Sequence, residues 1–283
     1  MHNTVSPPTA DAALIERLEA QARVIRRDII KMTYTAQAGH PGGSLSSADI
    51  LTALYFHVLR LDPKNPDWPQ RDRFILSKGH GCPTLYACLA RRGFYPLDQL
   101  YTLRQLGSML QGHPHKGSPP GVETTSGSLG NGFAIAMGRA LALKMNTSTS
   151  RVYVLLGDGE CDEGIVWEAA MAAAKYNLDN LTAIVDRNRL QNDGNADEIM
   201  PLDPLDEKWR AFRWHVITID GHDMCAILTA LDAAKATKGQ PTVIIANTIK
   251  GKGVSFMENN ADWHGRAPTQ AEYEQALAEI GGE

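Results

Sequence analysis

"RVYVLLGDGECDEGIVWEAAMAAAKYNLDNLTAIVDRN" (residues 151–188) reads as strand, turn, helix and second strand. The apolar runs VYVLLG and LTAIVD lack the alternation of a strand with one wet face, so both belong in a sheet covered on two sides. The Ala-rich segment between them suits a helix. The first strand ends abruptly at Gly157, Asp158 and Gly159, with Glu160, Asp162 and Glu163 close behind. A strand end with that much negative charge either faces plain solvent or holds a cation.

Outward from this unit the alternation continues. "RFILSKGHG" (73–81) is a short strand ending in a turn, and "HVITID" (215–220) and "PTVIIANT" (241–248) are two more strands. Strands separated by helices predict an α/β fold, a mostly parallel sheet with helices on both faces. An amphipathic helix is expected from Asp11, with Leu14, Leu18, Ile25, Ile29 and Met32 near helical spacing, stopping around Gly39 and Pro41. A second helix is expected after the glycines of "GHPGGSLSSADILTALYFHVLR" (39–60), capped by Ser44, Ser46 or Ser47 with Asp49 in its first turn. Thr84 to Gly93, "FAIAMGRALALKM" (133–145) and the last segment read as further helices. Residues 107–132 are a long Gly-, Pro- and Ser-rich loop, and loops of that length in compact domains are usually functional or disordered. Residues 1–10 read as a flexible tail and 11–283 as a single domain, with no internal repeat.

Composition narrows the function classes. Of 283 residues, 43% are hydrophobic and 21% charged, enough to bury a full core, and the net charge of −4 gives no general attraction to nucleic acid or to anionic membranes. Cys82, Cys88, Cys161 and Cys225 show no zinc spacing. The chain has neither a secretory leader pattern in MHNTVSPPTADAA nor an apolar run near the roughly 20 residues of a membrane span, so a reduced, cytoplasmic setting is expected.

In parallel sheets ligands bind outside the carboxyl ends of the strands. If the two strands of the opening stretch are neighbours, Asp158 and Asn188 meet at that edge. A carboxylate, an amide oxygen and a nearby carbonyl form a partial hard-oxygen set of the kind Mg²⁺ shares with water and phosphate. The glycines let the backbone approach a diphosphate, Gly159 N–H can donate to it, and the helix starting at Glu163 favours an anion. The competing reading is a surface turn with a capping acid. Four histidines, His40, His80, His113 and His264, also fall in Gly-rich or turn segments, which are poor places for core packing.

GDG, residues 160–187 and then Asn188 resemble the thiamine diphosphate motif. The resemblance implies that Asp158, Asn188 and the Leu190 carbonyl hold Mg²⁺, with Ca²⁺ or Mn²⁺ able to substitute. Arg187 stands where a small polar residue is common. "GHPGGSLS", "LSKGH", "TTSGSLGNG" and "GDGECDEG", in that order, resemble the N-terminal part of transketolase from about Ala20 to His264. On that resemblance His80 and His264 contact the cofactor's diphosphate, and His40, His113 and His264 are the catalytic imidazoles of the substrate channel. Gly127 offers its carbonyl to the aminopyrimidine, Leu129 packs on the cofactor, and Gly159 and Glu163 join the cofactor site. Glu163 and Glu168 match acids that couple two sites across a dimer; for Glu168 the alternative is an exposed helix acid. Lys250 in "TIKGKGV" matches a loop near the cofactor, its alternative being a solvated lysine in a glycine turn.

The resemblance further implies one subunit of a two-chain transketolase of the pentose phosphate pathway. It would move a two-carbon ketol unit between sugar phosphates. The activating glutamate would come from a C-terminal subunit, in a heterotetramer self-associating across the dimer. The alternatives are the α subunit of a 2-oxoacid dehydrogenase, a transketolase-like enzyme for a sulfo- or branched sugar, and an inactive cofactor-binding scaffold.

Overall fold

The computed structural model describes residues 11–282; the tail expected at 1–10 lies outside the described residues. Five strands, β1 (Arg73–Leu76), β2 (Val152–Gly157), β3 (Leu181–Arg187), β4 (His215–Asp220) and β5 (Thr242–Asn247), form one sheet in the order β1-β2-β3-β5-β4. Every pairing is parallel. The helices are α1 (Ala12–Ala36), α2 (Pro41–Leu45), α3 (Ala48–Ala53), α4 (Cys82–Arg91), α5 (Asn131–Met145), α6 (Gly164–Lys175), α7 (Ala196–Ile199), α8 (Leu205–Ala211), α9 (Met224–Ala236) and α10 (Gln270–Ile280). None of the helices among the described residues is long and apolar enough to cross a membrane.

The period of two along each strand divides the core. Phe74, Leu76, Tyr153, Leu155, Ile184 and Ile244 point to one face, where α1, α3, α4, α9 and α10 pack. Ile75, Val152, Val154, Leu156, Ala183, Val185, Val243 and Ile245 point to the other, against α5, α6 and α8. Because both faces are covered, alternation of side chains produces no alternation of polarity, hence the continuous apolar runs. The small side chains Ala169, Ala170 and Ala173 of α6 are buried in this second core, where α6 packs closely on α5. At Gly130 (φ +79°), just before α5, a Cβ would sit 2.3 Å from Ile165 Cγ2, so only glycine fits.

Two expectations near the N-terminus change. Helix α1 ends earlier, at Ala36, with Gln37 in the left-handed region (φ 46°). Gly42 and Gly43 of GHPGG lie inside α2, which Pro41 opens, and no serine caps α3 through its side chain. The serines are buried and bond elsewhere: Ser44 Oγ donates to the His40 carbonyl (2.7 Å) and Ser46 Oγ to Asp186 (2.6 Å).

Trp209 anchors the second face, fully buried with ring centroids 5.0 Å from Trp214, 5.2 Å from Trp167 and 5.9 Å from Phe133. Its Nε1 has no hydrogen-bond partner, so its contribution is packing. Trp209→Ala should cost about 3–5 kcal/mol in urea unfolding and Trp209→Phe clearly less; a loss below about 1 kcal/mol for the alanine variant would contradict this packing role.

Candidate active site

The carboxyl ends of β1, β2 and β3, the segment after β5 and two loops enclose a cavity of ≈ 320 Å³. Lys78 and His80 follow β1, Asp158 to Glu160 follow β2, Asn188 and Leu190 to Asn192 follow β3, and Lys250 follows β5. His40 and Gly43 come from the start of α2, His113, Gly127 and Leu129 from the long loop, and His264 from a 3₁₀ turn (Ala261–His264). All of the histidines singled out in the sequence, together with Gly127, Leu129, Asp158, Gly159, Asn188, Leu190 and Lys250, line this one space.

β2 and β3 are hydrogen-bonded neighbours with Gly157 opposite Asp186, so Asp158 and Asn188 leave adjacent strands side by side. Asp158 is 3% exposed and accepts from Gly159 N–H (2.9 Å) and Arg189 N–H (2.6 Å). Burial, then the nearby Asp186 charge, pushes its pKa up to about 6, against those backbone donors. Among the described residues no cationic side chain bonds to it. Asn188 Oδ1 accepts from Leu190 N–H (3.1 Å), and the Leu190 carbonyl accepts from Lys250 Nζ (3.1 Å). No three His, Cys, Asp or Glu side chains among the described residues converge as a metal site. The available set is instead carboxylate, amide and carbonyl oxygen, with a buried negative charge left over, and it fits a hard divalent cation. The side chain of Arg187 pairs with Asp203, away from this set.

The imidazoles form one cluster, with His40 centroids 5.4 Å from His80, 6.2 Å from His113 and 5.4 Å from His264. Burial, reinforced by His113, Arg104 and Lys250, lowers His40 to about 4; burial and then Lys250 lower His264 to about 4. Burial followed by the Lys78 charge lowers His80 further, and burial also lowers His113. Near pH 7 the cluster is therefore neutral. His40 Nδ1, at the cavity wall, is buried without a partner. Such an orphaned atom beside a cavity fits a polar organic ligand.

Lys250 is 1% exposed, which removes the solvated-lysine alternative. Its Nζ donates to the Leu190 and Gln191 carbonyls (both 3.1 Å) and to His264 Nδ1 (2.9 Å). Burial lowers its pKa to about 8.

Several expectations are not met. Glu163, expected in the cofactor site, is exposed beside α6 and does not line the cavity; Glu168 is exposed on α6, which is compatible with both of its readings. A 3₁₀ turn (Gly159–Asp162) precedes α6, so that helix does not begin at the site, and Gly159 N–H is already engaged by Asp158. The acids of the GDGECDEG turn also divide. Glu160 is buried and structural, accepting from Gly130 N–H (2.7 Å), Gly157 N–H (3.0 Å) and Ser77 Oγ. The sequence reading missed Lys78, whose buried Nζ binds Asp186 and the Gly43 carbonyl (2.6 Å), while Asp186 also accepts from Ser46 and Thr248. The available signal was Asp186 itself, since a carboxylate inside an apolar strand requires a partner.

The family described as "Transketolase, thiamine diphosphate binding domain" matches residues 16–283. The chain is 48% identical over 263 residues to the 6-deoxy-6-sulfo-D-fructose transketolase subunit SqwG of Clostridium sp., covering 93% of this chain and 96% of the relative. It is 46% identical over 266 residues to an apulose-4-phosphate transketolase subunit from Actinobacillus succinogenes, covering 94% and 96%. Against Homo sapiens transketolase the identity is 40% over 271 residues, which is 95% of this chain and 43% of the relative. The crystal structure of Campylobacter jejuni transketolase superposes with a TM-score of 0.89 at 36% identity, over 94% of this chain and 43% of that one.

Two predictions test the site's electrostatics. Lys78→Met leaves Asp186 buried without its cation and should cost about 3–5 kcal/mol in urea unfolding, whereas the double variant Lys78→Met/Asp186→Leu should regain a large part of that loss. The second concerns pH. Free imidazoles take a proton near 6.5 but His40 and His264 only near 4, so in that window the unfolded chain binds more protons. Stability should therefore fall as pH drops from about 6.5 to about 4, with Asp158, raised to about 6, opposing the trend over part of the range. His40→Gln and His264→Gln should each flatten this slope in thermal melts; unchanged slopes would show that these imidazoles are not held neutral.

Proposed function

The chain belongs to the transketolase family and is built as its thiamine diphosphate-binding part, and we propose that it works as the N-terminal subunit of a two-chain transketolase. The reaction is transfer of a two-carbon ketol unit from a ketose phosphate to an aldose phosphate, completed by a C-terminal subunit. The observation that carries this reading is the buried, cation-free Asp158 beside Asn188 and the Leu190 carbonyl, under four neutral imidazoles. The two-chain arrangement is supported by relatives named as subunits, each nearly fully covered by this chain. The family assignment sets aside the 2-oxoacid dehydrogenase alternative.

Asp158, Asn188 and the Leu190 carbonyl would hold Mg²⁺, whose excess charge attracts a diphosphate. Lys250, His80 and His264 would then face the diphosphate as donors, and the Gly127 carbonyl and Leu129 would face the rest of the cofactor. Bound thiamine diphosphate supplies the carbon nucleophile that carries the ketol unit. His40 and His113, neutral near pH 7, would bind substrate hydroxyls and move protons at their ring nitrogens. Glu163 and Glu168, exposed in this chain, would remain free for contacts across a dimer. The proposed setting is cytoplasmic, in a heterotetramer.

A second donor class has specific support. The relative at 48% identity is named for a sulfonated ketose, so a 6-deoxy-6-sulfo ketose stands beside pentose phosphate pathway donors as a substrate. The test is ketol transfer to ribose 5-phosphate from xylulose 5-phosphate and from the sulfo ketose, by the chain alone and with its partner. Turnover is expected only with the partner. Robust turnover by the chain alone contradicts the split arrangement, and the better donor identifies the pathway. Asp158→Ala or Asn188→Ala should weaken Mg²⁺-dependent cofactor binding by about 100-fold or more in calorimetry of the complex, as each removes one of three protein oxygens; unchanged affinity in both would sink the metal assignment.

A further inference from the structure

The loop after β5 carries Lys250 into the cavity, and its other side rests on three side chains that the proposed chemistry does not use. Arg26 of α1 donates to Asp49 of α3 through Nη1 (2.9 Å) and Nη2 (2.5 Å), and its Nε donates to the Lys252 carbonyl (3.1 Å). His222, just after β4, places Nδ1 2.8 Å from Asp49 Oδ2 and accepts the Ile249 N–H at Nε2, also at 2.8 Å. The three side chains are only 9–11% exposed. None of the three lines the site cavity.

The hydrogen-bond chemistry fixes the state of His222. A backbone N–H can only donate, so the Nε2 facing Ile249 carries a lone pair, and the ring proton lies on Nδ1 and is donated to Asp49. Burial acts to raise Asp49, but the bonds from His222 and Arg26 outweigh it and hold the carboxyl below its usual range. Asp49 is therefore the hub, and Arg26 and His222 each reach from it to a different backbone group of the same loop. From the site side Gly251 N–H donates to the Gly42 carbonyl (3.0 Å). Gly251 has φ +82°, and a Cβ there would lie 2.2 Å from the Met257 carbonyl oxygen, so only glycine fits where the loop passes Met257.

We propose that Arg26, Asp49 and His222 form a clamp that fixes the loop at residues 249–253 from behind and thereby sets where the Lys250 ammonium sits in the cofactor cavity. His222 is a positioning residue, acting through Ile249 on its neighbour Lys250. The consequence for cofactor binding rests on Lys250 facing the diphosphate, as proposed above. The clamp itself does not.

The test separates the two on the complex with its partner chain. Amide hydrogen exchange of residues 249–253 reads the clamp, and the dissociation constant of thiamine diphosphate with Mg²⁺ reads its consequence. His222→Phe should speed exchange in the loop and weaken cofactor binding about tenfold, in the range for a residue that orients another. His222→Gln, which retains an acceptor near the Nε2 position, should recover much of both. In a Lys250→Met background His222→Phe should add little further loss of affinity, because both changes act through the same ammonium. Unchanged exchange in His222→Phe overturns the clamp. An equal penalty in both backgrounds overturns action through Lys250. If Lys250→Met binds cofactor normally while His222→Phe still loosens the loop, the clamp stands and the lysine's assignment to the diphosphate fails. Should His222→Phe not fold, imidazole ¹⁵N shifts of the unsubstituted chain decide: a proton on Nδ1 supports the clamp, and one on Nε2 overturns it.

Discussion

Asp158 and Asp186 are two buried carboxylates at the ends of adjacent strands, and only Asp186 has a cation bonded to it. Lys78 neutralises Asp186 and, through the Gly43 carbonyl, ties the end of β1 to the start of α2. Asp158 keeps its charge against burial with only two backbone donors, and its raised pKa reflects that imbalance. A divalent ion on Asp158, Asn188 and the Leu190 carbonyl would relieve it. This charge difference separates two neighbouring carboxylates: the Lys78–Asp186 pair is satisfied within the chain, and Asp158 is the one that a bound cation would complete.

The remaining polar groups follow from the same low-dielectric setting. Buried imidazoles stay neutral near pH 7, so the cluster does not repel a cation beside it. Lys250 sits at the boundary between the oxygen set and the histidines, bonded to the Leu190 carbonyl and to His264. The Arg26–Asp49–His222 clamp holds the backbone that carries it. The floor is thus built on rigid strand ends, while the Lys250 ammonium stands on a loop braced from behind.

The sequence disclosed what depends on local chemistry. The apolar runs around residues 151–188 require a doubly covered parallel sheet, and strands β2 and β3 do pair, bringing Asp158 to Asn188 as their spacing suggested. The histidines were legible because glycine-rich turns give an imidazole nothing to pack against. What escaped depends on partners distant in sequence. Lys78 looks like a surface lysine until Asp186, 108 positions away, is found beneath it. Glu160 resembles its exposed neighbours Asp162 and Glu163, and only the approach of Gly130 reveals that it is a buried acceptor. The serines of GHPGGSLSS resembled helix caps, but Ser44 and Ser47 turn back to carbonyls of the preceding turn, and Ser46 reaches Asp186 across the fold. Asp49 was legible as a first-turn acid of α3, but nothing local pointed to its link with His222, which spans 173 positions.

The central claim is that a hard cation completes the charge balance at Asp158. Its most direct test is a crystal of the two-chain complex grown with thiamine diphosphate and Mn²⁺, with data collected at the manganese edge. The account predicts one anomalous peak within coordination distance of Asp158, Asn188 and the Leu190 carbonyl, with the Lys250 ammonium turned from that carbonyl toward the diphosphate. Cofactor bound with no peak there, or with Lys250 still donating to the Leu190 carbonyl and the metal elsewhere, would contradict it.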